Sequence, residues 1–123
     1  MDNTDLGAVQ QRFAEIIWEH APIASPELVK LCGEKLGWKK STTYTVLKKL
    51  CEKGLFKNEG GVVSALVTKE EYNSRRSLSF VEETFSGSLP AFVAAFMNGK
   101  PISDEEADEI KRMIDSFREG GKA

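Results

Sequence analysis

Leu6, Val9, Phe13, Ile16 and Ile17 recur at helical spacing, so the stretch from about Asp5 to His20 reads as an amphipathic helix. Ala21-Pro22 ends it. Ser25-Pro26-Glu27 then offers a capping hydroxyl, a proline at the first helical position and an early acid, followed by the apolar stripe Leu28, Leu31, Cys32 and Leu36 up to Gly37. After Trp38-Lys39-Lys40, Ser41 is expected to cap a third helix that runs to Gly54, a favoured helix terminator. On that helix Thr43, Val46, Leu47 and Leu50 share one side, while Ser41, Thr42, Tyr44, Thr45, Lys48 and Lys49 cover the rest.

The pattern then changes to β-prone runs. Leu55 to Asn58 and Val62 to Val67 bracket Glu59-Gly60-Gly61, which predicts a hairpin with a glycine turn. Thr68-Lys69-Glu70-Glu71 has capping-box spacing and opens a fourth helix, with Leu78, Val81 and Phe85 leading to Gly87. Ser88 is placed to cap a fifth helix carrying Leu89, Phe92, Val93 and Phe96, closed by Asn98-Gly99. Ser103-Asp104-Glu105-Glu106 is a second capping box, opening a sixth helix with Ala107, Ile110, Met113, Ile114 and Phe117 inward. Gly120-Gly121-Lys122-Ala123 is expected to fray.

Three helices and a hairpin predict a mainly α protein: a winged helix-turn-helix with a small β-hairpin wing, followed by a C-terminal helical dimerisation module. The expected division is 1–68 for DNA binding and 69–123 for dimerisation. A chain of 123 residues accommodates two such small modules and excludes a large two-domain enzyme. Its longest apolar runs fall far short of a membrane span, and its acidic start lacks a signal-peptide core, so the expected location is the cytoplasm, without membrane insertion. Cys32 and Cys51 both occupy apolar helical positions and are expected to be reduced core thiols.

A net charge of -2 argues weakly against nucleic acid, but the distribution reverses that inference. Between Lys35 and Lys57 seven lysines face a single acid, Glu52, a local balance of +6, whereas Asp104 to Glu109 holds five acids and no base. Third-helix hydroxyls reach base edges when such a helix enters the major groove, so Ser41, Thr42, Tyr44 and Thr45 are the candidates for base readout and positioning. Thr43 belongs to the inner side. Lys39, Lys40, Lys48 and Lys49 are candidate phosphate contacts, which position without specifying, although a solvated helix face also carries lysines. Lys57 is the only base near the wing tip, so the wing contribution is expected to be weak.

Other chemistry finds little support. Trp38 follows a helix-ending glycine and is expected to anchor the loop on the core rather than stack on a base, and Trp18 beside Ile17 is read as structural. The single His20 has no second histidine or nearby cysteine at metal-ligand spacing, so no metal or other cofactor is predicted. The acids of residues 104–109 open a helix, where negative charge favours the dipole, and no nucleophile or base pairs with them. No catalytic residue is assigned, and the chain is read as no enzyme.

The second half presents Leu78, Val81, Phe85, Leu89, Phe92, Val93, Phe96, Ile110, Ile114 and Phe117 on about fifty residues, too few to enclose that surface alone. A second copy is expected to cover it, giving a homodimer whose two third helices meet successive half-sites of a palindromic double-stranded operator. Packing of the stripe on the first module is the monomeric alternative.

The run from Trp38 to Leu55 resembles the recognition-helix segment of the penicillinase repressor (BlaI/MecI) family. The family's tryptophan, Thr-x-x-Thr core and Lys-Gly-Leu exit are matched by Trp38, Thr42, Thr45, Lys53, Gly54 and Leu55, and Phe80 to Leu89 resembles its dimerisation segment. The resemblance covers nearly the whole chain and implies a dimeric winged-helix repressor. It also has departures. Members often place a basic residue on the recognition helix where this chain has Ser41 and Tyr44, which implies a different operator. A membrane sensor protease is the partner of the β-lactam-responsive members and cuts an Asn-Phe bond where this chain has Ser79-Phe80, which argues against induction by cleavage. The C-terminal Cys-x-Cys pairs of the copper-responsive members are absent, so no copper sensing by that route is predicted.

Two readings compete with a repressor that excludes polymerase from a promoter. One is a winged-helix module that binds protein through the same third helix, which the near-neutral total charge permits. The other is a small enzyme, for which the motifs assemble no catalytic set.

Overall fold

The computed structural model describes residues 6–118, so the start of the first expected helix at Asp5 and the tail Gly120 to Ala123 lie outside the described residues. Element order is α1 (Ala8–His20), β1 (Ile23–Ala24), α2 (Ser25–Leu36), α3 (Lys40–Glu52), β2 (Phe56–Glu59), β3 (Val62–Ala65), α4 (Lys69–Phe85), α5 (Leu89–Gly99) and α6 (Asp104–Phe117). One unit ends at Phe80 and the next begins at Val81, so the division falls inside α4.

The first unit buries one face of each of its helices. Phe13 and Ile17 of α1, Leu28 and Cys32 of α2, and Leu47 and Leu50 of α3 join Leu55, Phe56 and Val63 in one core. Burying such side chains contributes roughly 1.5–3 kcal/mol each before the entropy cost of ordering them. Tyr72 carries the start of α4 into the same core, where its ring lies 5.4 Å from that of Trp18. Trp18 also meets Phe56 at 5.3 Å and donates its indole N–H to the Val67 carbonyl at 3.0 Å. Trp38 packs on Phe13 at 5.1 Å, so both tryptophans anchor the core as expected. Val9 departs from the expected stripe: it is 56 % exposed, one turn before the first buried position of α1.

The predicted hairpin is present, with Glu59 on β2 rather than in the turn, β3 ending at Ala65, and a third strand added. Glu59 pairs with Val62 across a two-residue turn, and Gly60 and Gly61 take φ values of +59° and +80°. Positive φ at both central residues twists the turn to match its strands and is strained for any residue with a Cβ. β1 pairs antiparallel with β3 through Ile23↔Val63 and Ala24↔Val62, giving the order β1-β3-β2. Two residues are too short to display strand periodicity, which is why β1 was not foreseen.

That pairing also corrects the start of α2. Ala24 is the N-cap and Ser25 the first helical residue, because the Ser25 amide is already bonded to the Gly61 carbonyl at 2.8 Å. Ser41 does not cap α3 either: the N-cap is Lys39, and the helix begins at Lys40. Thr43 donates from both its amide and its hydroxyl to the Lys39 carbonyl, at 3.0 and 3.1 Å, which seats the first turn two residues earlier. Gly54, at φ +82°, closes α3, with the Leu55 amide reaching the Leu50 carbonyl at 3.2 Å.

The side-chain caps expected for α4, α5 and α6 are present. Ser88 accepts from the Ala91 amide at 3.1 Å, and Ser103 and Glu106 form a reciprocal capping box. The Thr68–Glu71 box does the same for α4, with bonds of 2.8 and 3.0 Å. No helix among the described residues is long and apolar enough to cross a membrane.

Cys32 and Cys51 are free thiols, Cys32 being fully buried. Burial pushes the Cys32 thiol up from 9.0 to about 11, partly offset by the Thr43 hydroxyl beside it, and burial also raises Cys51. The folded chain therefore keeps a proton that the unfolded chain releases, so this stabilisation is complete below pH 9 and is lost as pH rises toward about 11. Urea midpoints measured across that window should fall more steeply for the native chain than for Cys32→Ala; parallel curves would contradict a buried neutral thiol.

Candidate nucleic-acid interface

The interface is built on α3 and depends on which of its sides is inside. Thr43, Leu47 and Leu50 are buried, and Val46 packs partly on the core. The 3.6-residue repeat then leaves Lys40, Ser41, Thr42, Thr45, Lys48 and Lys49 exposed on the other side, with Lys39 exposed at the N-cap. The side chains of Ser41, Thr42 and Thr45 make no hydrogen bond to other described residues. Their hydroxyls are available to an outside partner.

The start of α3 differs from those of α4 and α6. The macrodipole favours acids in a first turn, and α4 and α6 conform, with Glu70 and Glu71 in one and Asp104, Glu105 and Glu106 in the other. α3 has no acid there and no side-chain cap, and it begins on Lys39-Lys40. Cations at a helix N-terminus oppose folding by a few tenths of a kcal/mol or more. The same end, with amides 40–42 preceding the first ladder bond, is suited to a phosphate oxygen.

α2 and the turn after it hold α3 in place. Gly37, at φ +70°, reverses the chain so that its amide meets Gly33 and the Trp38 amide meets Cys32, each at 3.2 Å. Tyr44 is placed differently from the sequence expectation. It is half-buried against the core, and its phenol donates to the Ser25 hydroxyl at 3.0 Å, which turns it inward, away from its exposed neighbours. Ser25 is the residue that sequence reasoning missed, since a serine before proline is ordinarily read as a cap.

On the wing, Lys57 lies exposed on β2 with its ammonium 3.5 Å from the Glu59 carboxylate. The pair is solvent-facing and adds little to stability, but it leaves the hairpin nearly neutral. His20 lies at the end of α1 with Nδ1 2.9 Å from the Ile16 carbonyl. No group of three metal-ligating side chains occurs among the described residues.

The second candidate set lies on the C-terminal helices. Leu78 falls in the first unit and the other nine in the second. Phe85, Phe92 and Phe96 form a run of ring contacts at 5.6 and 6.4 Å. Val81, Phe85 and Phe92 are partly covered, while Leu78, Leu89, Val93, Phe96, Ile110, Ile114 and Phe117 are exposed. Met97 of α5 and Met113 of α6 are exposed apolar residues as well.

A helix-turn-helix ending in an outward cationic helix, closed by a small twisted sheet, defines a winged helix-turn-helix regulator. The family model of the penicillinase repressor matches residues 6–116. A penicillinase repressor of Bacillus licheniformis is 26% identical over 108 residues, which cover 85% of this chain and 84% of that protein. The chain belongs to the penicillinase repressor family, and with it to DNA-binding transcriptional repressors rather than enzymes.

Glu59→Gln should release Lys57 for a phosphate and steepen the salt dependence of DNA binding by up to about one unit of the log–log slope. Titrations of a labelled duplex at several salt concentrations would register this, and an unchanged slope would remove the wing from the contact surface.

Proposed function

We propose that two copies of the chain together hold a palindromic operator, each inserting α3 into the major groove of one half-site, and repress by keeping polymerase from the promoter. Residues 1–68 supply the DNA-binding elements and residues 69–123 the dimerisation elements. Ser41, Thr42 and Thr45 read base edges. Lys39, Lys40, Lys48 and Lys49 hold phosphates, with a minor share from Lys57, and Tyr44 orients the helix.

The observation that carries this reading is the inverted charge at the start of α3: lysines where folding alone favours acids. The dimer rests on a separate fact, that α5 and α6 contain no buried residue in the single chain. Helices of 11 and 14 residues are marginal in water on their own, and their apolar stripes suit a self-complementary twofold interface. Ser79-Phe80 stands where the family resemblance puts a cleavable Asn-Phe bond, which argues against induction by cleavage.

Lys48→Ala should weaken binding to all duplexes alike and lower the salt slope by about one, whereas Thr42→Ala should cost about 1–3 kcal/mol at one base position per half-site. Competition mobility shifts with operator and scrambled duplexes separate the two, and equal losses on both DNAs would refute the division of labour.

Ile114 is 58 % exposed, so Ile114→Asp should leave the folded chain intact while breaking association. Sedimentation should show a dimer for the native chain and a monomer for the variant, with operator affinity reduced although the residue touches no DNA. A monomeric native chain would refute the dimer.

A further inference from the structure

Ser25 joins two elements that the preceding reading sets against DNA. It is 7 % exposed and one of two buried polar residues among those described. Its amide donates to the Gly61 carbonyl in the wing turn at 2.8 Å, and its hydroxyl oxygen accepts from the Tyr44 phenol of α3 at 3.0 Å. The β1–β3 pairing brings the wing to the residue immediately before it, through Ala24↔Val62. One serine is therefore bonded by its main chain to the wing and by its side chain to the third helix.

The hydroxyl is not needed to start α2, whose N-cap is Ala24 and which has no side-chain cap. Alanine at position 25 would keep the amide bond to Gly61 and remove only the acceptor for Tyr44. A polar group in such a buried setting is costly unless it is bonded, and once bonded it fixes a direction. The apolar contacts of Leu47 and Leu50 fix which side of α3 lies inside but are non-directional, so a hydrogen bond sets the last small part of its rotation more sharply. Base readout depends on hydrogen-bond angle, whereas a flexible lysine follows a phosphate through small rotations.

We infer that the Ser25 hydroxyl is a positioning group: through Tyr44 it sets the rotation of α3 relative to the wing, and so governs discrimination between bases without touching DNA. This rests on the reading of α3 as the helix that enters the groove.

The test uses the full chain, a duplex that it selects from a randomised pool, and a scrambled duplex of equal length. Ser25→Ala and Tyr44→Phe should each lower the ratio of selected to scrambled affinity by about tenfold, the order of one neutral hydrogen bond. The double variant should lose no more than either single one, and the salt slope should stay unchanged. Urea midpoints follow folding separately; a purely structural role would weaken both duplexes equally and leave the ratio intact. An unaltered ratio in Ser25→Ala overturns the inference. So does a double variant that sums the two single losses, since Tyr44 would then contact a base by itself. If the native chain selects no duplex, the DNA reading fails first and this inference with it.

Discussion

The constraint on which the remaining structure depends is the rotation of α3 enforced by burial of one of its sides. Thr43, Leu47 and Leu50 have no alternative place in a core that already contains Phe13, Leu28 and Cys32. Once they are inside, the helical repeat sends the lysines and short hydroxyls outward together, so a charged surface follows from an apolar one. Even the polar member of the buried side is compatible, because Thr43 donates its hydroxyl to the Lys39 carbonyl and so leaves no unbonded donor in the core.

The two units differ in what stabilises their helices. In the first, α1, α2 and α3 have no side-chain cap and are held by packing, with Trp18 and Trp38 bracing opposite parts of α1. In the second, α5 and α6 are well capped yet contain no fully buried residue. Caps contribute about 1 kcal/mol each and decide where a helix begins, but they do not hide apolar surface. A chain with such helices is locally well specified and globally incomplete, which is the physical weight behind a second copy.

Much of this was legible in the amino-acid order because it depends on short-range rules. The six helices, the glycine turn and both capping boxes follow from residues at most four positions apart, and the inner side of α3 follows from its periodicity. What escaped depends on partners distant in sequence. β1 exists only because β3 pairs with it, and the Ser25 amide met Gly61 before its hydroxyl was required as a cap. Tyr44 looked outward on the helical wheel because its partner lies nineteen residues away, on the preceding helix. Tyr72 enters the first core from a helix assigned to the second half. The charged surface was legible as a cluster, but the neutralisation of Lys57 by Glu59 needed the geometry of the strand.

The two-residue shift at the start of α3 bears on how readily this surface could change during descent. Had Ser41 been the cap, helix integrity would restrict that position to a handful of small polar residues. Because Lys39 holds the cap position and no hydroxyl of Ser41 sustains the backbone, the position is mutable without a folding penalty. With Ser41 proposed as a base contact, new target sequences would be within reach of single codon changes there, on a scaffold that does not register them.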